Sequence, residues 1–135
     1  MKKIGWLALL VLAALQFVPV ERENPPVRGD FDGPPAVHEI LQRSCYDCHS
    51  NEVRWPWYSR VAPISFLVAR DVREARAELN FSDWRTYDTA RRAKLGADII
   101  EEIEKRKMPL PLYVIVHGDA KLSGSELQTL RDWRP

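Results

Sequence analysis

Apolar residues along this chain recur mostly with a helical period. An apolar run comes first: Ile4 to Val20 is interrupted only by Gly5, Gln16 and Pro19, and Lys2 and Lys3 stand before it. Further on, Val37, Ile40, Leu41 and Cys45 are spaced as one helix face and predict a helix over about Ala36 to Cys48. A second stripe, Ile64, Leu67, Val68, Val72, Ala75 and Leu79, predicts a helix from Ile64 to Asn80. Pro63 stands at its start, where a missing N–H is harmless. A third helix is expected from an N-cap at Asp88 or Thr89 to about Lys107, with Leu95, Ile99, Ile100 and Ile103 facing a core. Ser123-Gly124-Ser125-Glu126 reads as a capping box that opens a fourth, with Leu127, Leu130 and Trp133 on one face. No stretch alternates as a strand does, although Tyr113 to Val116 could be briefly extended. The expected fold class is all-α, a small domain of about four helices.

The ends of the pattern set the organisation. A basic start followed by an apolar run reads as a targeting segment, residues 1–20. No small-residue cleavage pattern follows it, which favours a retained membrane-anchor helix over a cleaved signal peptide. The basic end should then stay in the cytoplasm and the remainder face the periplasm or outside. Residues 21–35 carry Pro25, Pro26, Gly29, Gly33, Pro34 and Pro35 without hydrophobic period, and are expected to form an extended tether. Residues 36–135 make the folded domain, roughly a hundred residues, a size that often needs a staple or cofactor in its core. The net charge of +1 gives no reason to expect a nucleic-acid partner.

Chemistry concentrates in Cys45-Tyr46-Asp47-Cys48-His49. C-x-x-C-H is the attachment pattern for a c-type haem. Two thiols can add to the two vinyl groups along one edge of the ring, and the next histidine can turn its imidazole onto the iron. His49 is thus the candidate proximal ligand, its Nδ1–H bonded to a backbone carbonyl; Pro56 and Pro63 are candidates for that carbonyl. Other readings of the motif are a thiol–disulfide redox pair, a plain disulfide or part of a metal site. The first normally opens a helix after a strand, and no strand pattern is present. The last needs a fourth ligand. For the sixth iron position Met108 is the leading candidate, in a proline-rich loop after the third helix; apart from Met1 it is the only methionine. His38, on the helix leading into the motif, belongs to the proximal side. His117, in a polar turn, reads as a surface residue. Trp55, Trp57 and Tyr58 follow the motif closely and are candidates for the haem pocket.

The chain resembles the bacterial haem-binding domain family, a branch of the cytochrome c-like proteins. The resemblance rests on Cys45-Tyr46-Asp47-Cys48-His49-Ser50-Asn51, Trp55-Pro56-Trp57-Tyr58-Ser59, Ala69-Arg70-Asp71-Val72, Leu79-Asn80-Phe81-Ser82-Asp83-Trp84, Met108-Pro109-Leu110, Tyr113, His117 and Asp119-Ala120-Lys121-Leu122-Ser123. It covers nearly all of the chain after residue 35. It implies a small cytochrome c-type fold around one covalent haem c, with Cys45, Cys48, His49 and Met108 at the attachment and ligand positions. The expected function is membrane-tethered, single-electron transfer by a His/Met-ligated monohaem protein with an unknown redox partner, and no enzymatic activity. Alternatives are a haem-based sensor or peroxidase-like enzyme with a displaceable sixth ligand, and a thiol–disulfide oxidoreductase.

Overall fold

The structure is a computed structural model, and it describes residues 2–133. Among these residues all regular structure is helical, in seven α-helices and three short 3-10 turns. The helices are α1 (Lys2–Leu15), α2 (Pro35–Ser44), α3 (Tyr46–His49), α4 (Ile64–Glu78), α5 (Thr89–Glu104), α6 (Pro111–Val116) and α7 (Gly124–Asp132). The all-α expectation holds, with more and shorter elements than the four stripes suggested.

The differences have local causes. The first expected helix is broken in two at Cys45, whose φ of −129° leaves the helical region. Cys45 N–H still closes α2 on Leu41 O, while Cys45 O accepts from both Cys48 and His49 and so begins α3. The brief extended stretch considered for Tyr113 to Val116 is instead helix α6. Pro111 opens it, and the N–H groups of Val114 and His117 return to the carbonyls of Leu110 and Tyr113. The capping box forms as expected: Ser123 Oγ accepts from Glu126 N–H, and the Glu126 carboxylate accepts from Ser123 N–H. Helix α1 ends at Leu15, short of the expected Val20. The next turn is closed by i→i−3 bonds, and the Gln16 side chain is turned to the domain. At about 1.5 Å per residue, α1 is about 21 Å long. No helix among the described residues is long and apolar enough to cross a membrane.

The core is aromatic and sits where α2, α5 and α7 converge. Leu41, Phe81, Trp84 and Leu130 are almost fully buried. Arg43 of α2 pairs with Glu126 of α7 at 2.7 Å and fixes that crossing. Tyr46 stacks on Phe81 with ring centroids 5.2 Å apart.

Residues 21–34 form no helix or strand and Pro35 already opens α2, but the segment expected as a tether over 21–35 is not free. The segment is strapped to the domain along its length. Asn24 donates to Val53 O, and Asn51 donates to Pro26 O. The N–H groups of Arg28 and Gly29 both reach Ser82 O, and the Arg28 guanidinium forks onto the Asp83 carboxylate. Phe31 is buried and meets Trp84 and Trp133 at 5.4 and 5.2 Å. Its ring lies so close to Gly33 that a Cβ there would stand 2.3 Å from it, so the turn needs glycine. Phe31 therefore belongs to the core. Phe31→Ala should cost about 3–5 kcal/mol, read as a lower urea midpoint at unchanged slope.

Candidate functional site

The Cys45–His49 motif is held from several sides. α3 packs against α4 and α2. Tyr46, the first residue between the cysteines, is buried and bonds Asp30 of the strap at 2.8 Å and His38 at 3.0 Å. His38 is thus engaged through its Nε2 by the Tyr46 hydroxyl. Asp47, the second, accepts from Arg54 through its backbone N–H, Nε and Nη2, and from the Tyr113 hydroxyl at 2.7 Å. Burial works against this carboxylate, but the bonds from Arg54 and Tyr113 outweigh it and hold its pKa below the ordinary carboxylate value. The same burial and bond push the Tyr113 hydroxyl well up.

Cys45 and Cys48 are half-buried free thiols. Burial pushes the first up to about 12 and the second up to about 11, so both keep their protons. His49 follows directly. Its Nδ1 lies 3.0 Å from Leu79 O and 3.1 Å from Ala75 O, at the C-terminal end of α4. Both partners are acceptors, so the proton sits on Nδ1, and the negative end of the helix dipole favours that donation. Burial also lowers the pKa of His49, against the pull of the two carbonyls, and keeps the ring neutral. Nε2 is left with its lone pair. The expectation that Pro56 or Pro63 supplies the carbonyl is corrected: Pro56 O accepts from Ser59, and Pro63 O from Phe66 N–H. Sequence spacing gives no signal for Ala75 or Leu79, because a carbonyl at a helix end belongs to any residue type.

Met108 sits half-buried after α5. Its place is fixed by how that helix stops. Arg106 takes a left-handed φ of 57°, and the N–H groups of Lys107 and Met108 both return to Glu102 O. The chain then enters α6, whose Tyr113 is bonded to Asp47, so the methionine loop is tied to the attachment motif one helix turn later.

The remaining candidates separate. Tyr58 is half-buried with its hydroxyl 2.7 Å from His117 Nε2. His117 stacks on Tyr113 with centroids 4.3 Å apart, so it is a packed residue and the surface expectation is corrected. Trp55 is turned to the strap, donating to Asn24 Oδ1 at 3.3 Å. Trp57 is 77% exposed. Of the three aromatic pocket candidates, only Tyr58 is joined to the residues around the motif. The Asp47–Tyr113 bond was not anticipated. Tyr113→Phe should cost about 1.5–3 kcal/mol, the range for a hydrogen bond to a charged group, read by chemical denaturation.

Two thiols, a neutral imidazole with its outer nitrogen free and a methionine one loop away are a donor set suited to haem iron and porphyrin vinyl groups. Fold and site together define an all-helical haem-binding protein. The chain belongs to the haem-binding domain family, whose model matches residues 10–135. That match begins within α1 and takes in the strap as well as the domain beyond it. Neither the search of curated proteins nor that of solved structures found a match.

Proposed function

We propose that the protein is a c-type monohaem electron carrier, tethered to the outer face of the cytoplasmic membrane by its N-terminal segment. The observation that carries this reading is His49, its Nδ1–H committed to the Ala75 and Leu79 carbonyls beside two unpaired thiols. Cys45 and Cys48 would hold the haem covalently, each through a thioether made by adding S–H across one vinyl group, sulfur to one carbon and hydrogen to the other, with no net oxidation. His49 offers Nε2 as proximal ligand, and its two carbonyl partners fix the ring plane and raise its basicity. Met108 would offer its thioether as the second protein ligand. A haem held by these two residues would supply a one-electron couple at raised potential. Tyr46 and Asp47 keep the motif still while the charge changes, one tied to the strap and the other to Arg54 and Tyr113. The tether reading is supported by α1, where Ile4, Trp6, Leu7 and Leu10 are each more than 60% exposed, an apolar surface left uncovered among the described residues. A thiol oxidoreductase needs an accessible thiolate, and these half-buried sulfurs hold their protons.

The test is expression with haem-attachment machinery, followed by intact mass and the pyridine haemochrome spectrum. One haem that survives denaturation, with both vinyl groups saturated, is expected. A chain that carries no haem, or releases it on denaturation, would overturn covalent attachment.

A further inference from the structure

The last turn of α4 carries a cation that the carrier reading leaves unused. The Ala75 and Leu79 carbonyls take the ring N–H of His49, and Arg76 lies between them in the chain. Its guanidinium is half-buried and turned back to the same motif. Nε donates at 2.7 Å to the carbonyl of Ser50, the residue after His49. The other two nitrogens reach the strap, Nη1 donating to Glu23 O at 2.9 Å and Nη2 to Asn24 Oδ1 at 3.2 Å. The end of α4 therefore grips the motif twice, at the His49 ring and at the main chain just beyond it.

All three acceptors are neutral. Two are main-chain carbonyls and one is a side-chain amide, and Glu23 offers its main-chain oxygen rather than its carboxylate. Neutral oxygens stand in for the lost water without cancelling the charge. Burial lowers the pKa of Arg76 from the ordinary guanidinium value, but a guanidinium stays protonated at neutral pH. Its field reaches the motif. Beyond burial, which pushes the Cys48 thiol up, three charges act on that thiol: Asp47 and Asp71 raise it further and Arg76 lowers it. Each of the two carboxylates has an arginine of its own, Asp47 with Arg54 at 3.1 Å and Asp71 with Arg70 at 2.8 Å. Arg76 has only its neutral acceptors.

We propose that Arg76 is a potential-setting residue: held beside the C-x-x-C-H motif by Ser50 and the strap with no counter-charge of its own, its guanidinium keeps the haem's reduction potential high. The inference deepens the carrier reading and rests on it. Oxidation adds one positive charge to a haem, and a cation fixed nearby opposes that charge and favours the reduced state. Partial burial makes the effect stronger than that of a surface arginine and less open to screening by salt. The strap gains a second use. It packs Phe31 into the core, and through Glu23 and Asn24 it also solvates the cation with neutral groups where a carboxylate would cancel it.

The experiment is a spectroelectrochemical titration of the full haem-loaded chain at neutral pH. Intact mass counts covalent haem, and the weak ferric band of thioether-bound iron reports whether Met108 is in place. Arg76→Gln should lower the midpoint potential with haem count and band unchanged. Arg76→Lys keeps the charge and gives up the fork, and it should keep most of the potential. Asn24→Asp leaves Arg76 and the acceptor for its Nη2 in place and answers the guanidinium with a carboxylate, so its midpoint should fall as that of Arg76→Gln does. Equal falls in Arg76→Gln and Arg76→Lys would assign the effect to the bonds and overturn the charge. A fall that comes with loss of the band marks ligand exchange and would overturn it too. If Arg76→Gln takes up no haem, Asn24→Asp decides alone, and an unmoved midpoint there overturns the inference. Unmoved midpoints in both Arg76→Gln and Asn24→Asp, with haem and band intact, would overturn the inference and leave the carrier reading standing. An unaltered chain without covalent haem would overturn both.

Discussion

The double replacement Cys45→Ala with Cys48→Ala is expected to yield a chain without covalent haem that has lost most of its helicity and its cooperative thermal transition. The domain is small, so it has little apolar area to spare. A group that binds the folded state alone adds about 4 kcal/mol when present at about a thousandfold over its Kd. That is a large share of a total stability of about 5–15 kcal/mol. Cys45 itself packs against the central cluster, as Ile99, Ile103 and Leu122 also do, so this cysteine is continuous with the core. Either single variant should keep one thioether and an intermediate melting temperature. Circular dichroism against temperature, with intact mass to count haem, makes the check. Wild-type helicity and melting in the haem-free double variant would show that the aromatic core around Phe81 and Trp84 suffices alone.

Met108→Ala should abolish the weak absorption at the red edge of the visible spectrum that marks thioether sulfur on ferric low-spin iron. It should also lower the reduction potential and let carbon monoxide bind the reduced protein. The sign follows from ligand preference: exchanging a thioether for water or hydroxide favours the ferric state. No other methionine is at hand, since Met1 is the only other one in the chain. His117→Ala should leave the band in place, because His117 has a partner of its own in the Tyr58 hydroxyl and a stacking partner in Tyr113. The band lost in His117→Ala and kept in Met108→Ala would reverse the assignment. Fast carbon monoxide binding by the unaltered protein would favour a sensor or catalyst over a carrier.

Local pattern and tertiary packing divided this protein unevenly. The 3.6-residue stripes over residues 37–45, 64–79 and 95–103 identified three helical regions, since burying one helix face requires that period whatever it packs on. The Ser123–Glu126 capping box was legible because all its atoms lie within one turn. The attachment motif was legible for a similar reason: two sulfurs and an imidazole within five residues are a local constellation. Short helices were not. α6 has six residues, too few for a period to declare itself, and its β-branched Val114, Ile115 and Val116 favour a strand. The Trp57–Arg60 and Phe81–Thr86 turns left no stripe either.

The sequence by itself determined the helical class, the C-x-x-C-H motif as a local cluster of donors and the apolar N-terminal run. Each depends on residues that are near neighbours along the chain. Only the tertiary structure decided that the proline-rich segment is a strap with Phe31 in the core. Only it decided that His49 bonds the carbonyls of Ala75 and Leu79, that Asp47 reaches Tyr113 and that Gln16 locks onto Ala62. Those pairs stand 26, 30, 66 and 46 residues apart. Three of the partners are main-chain carbonyls, which every residue carries and no spacing marks. Which carbonyl is offered depends on where α4 ends and how it lies against α3, and that is set by packing between elements, beyond the reach of any local pattern.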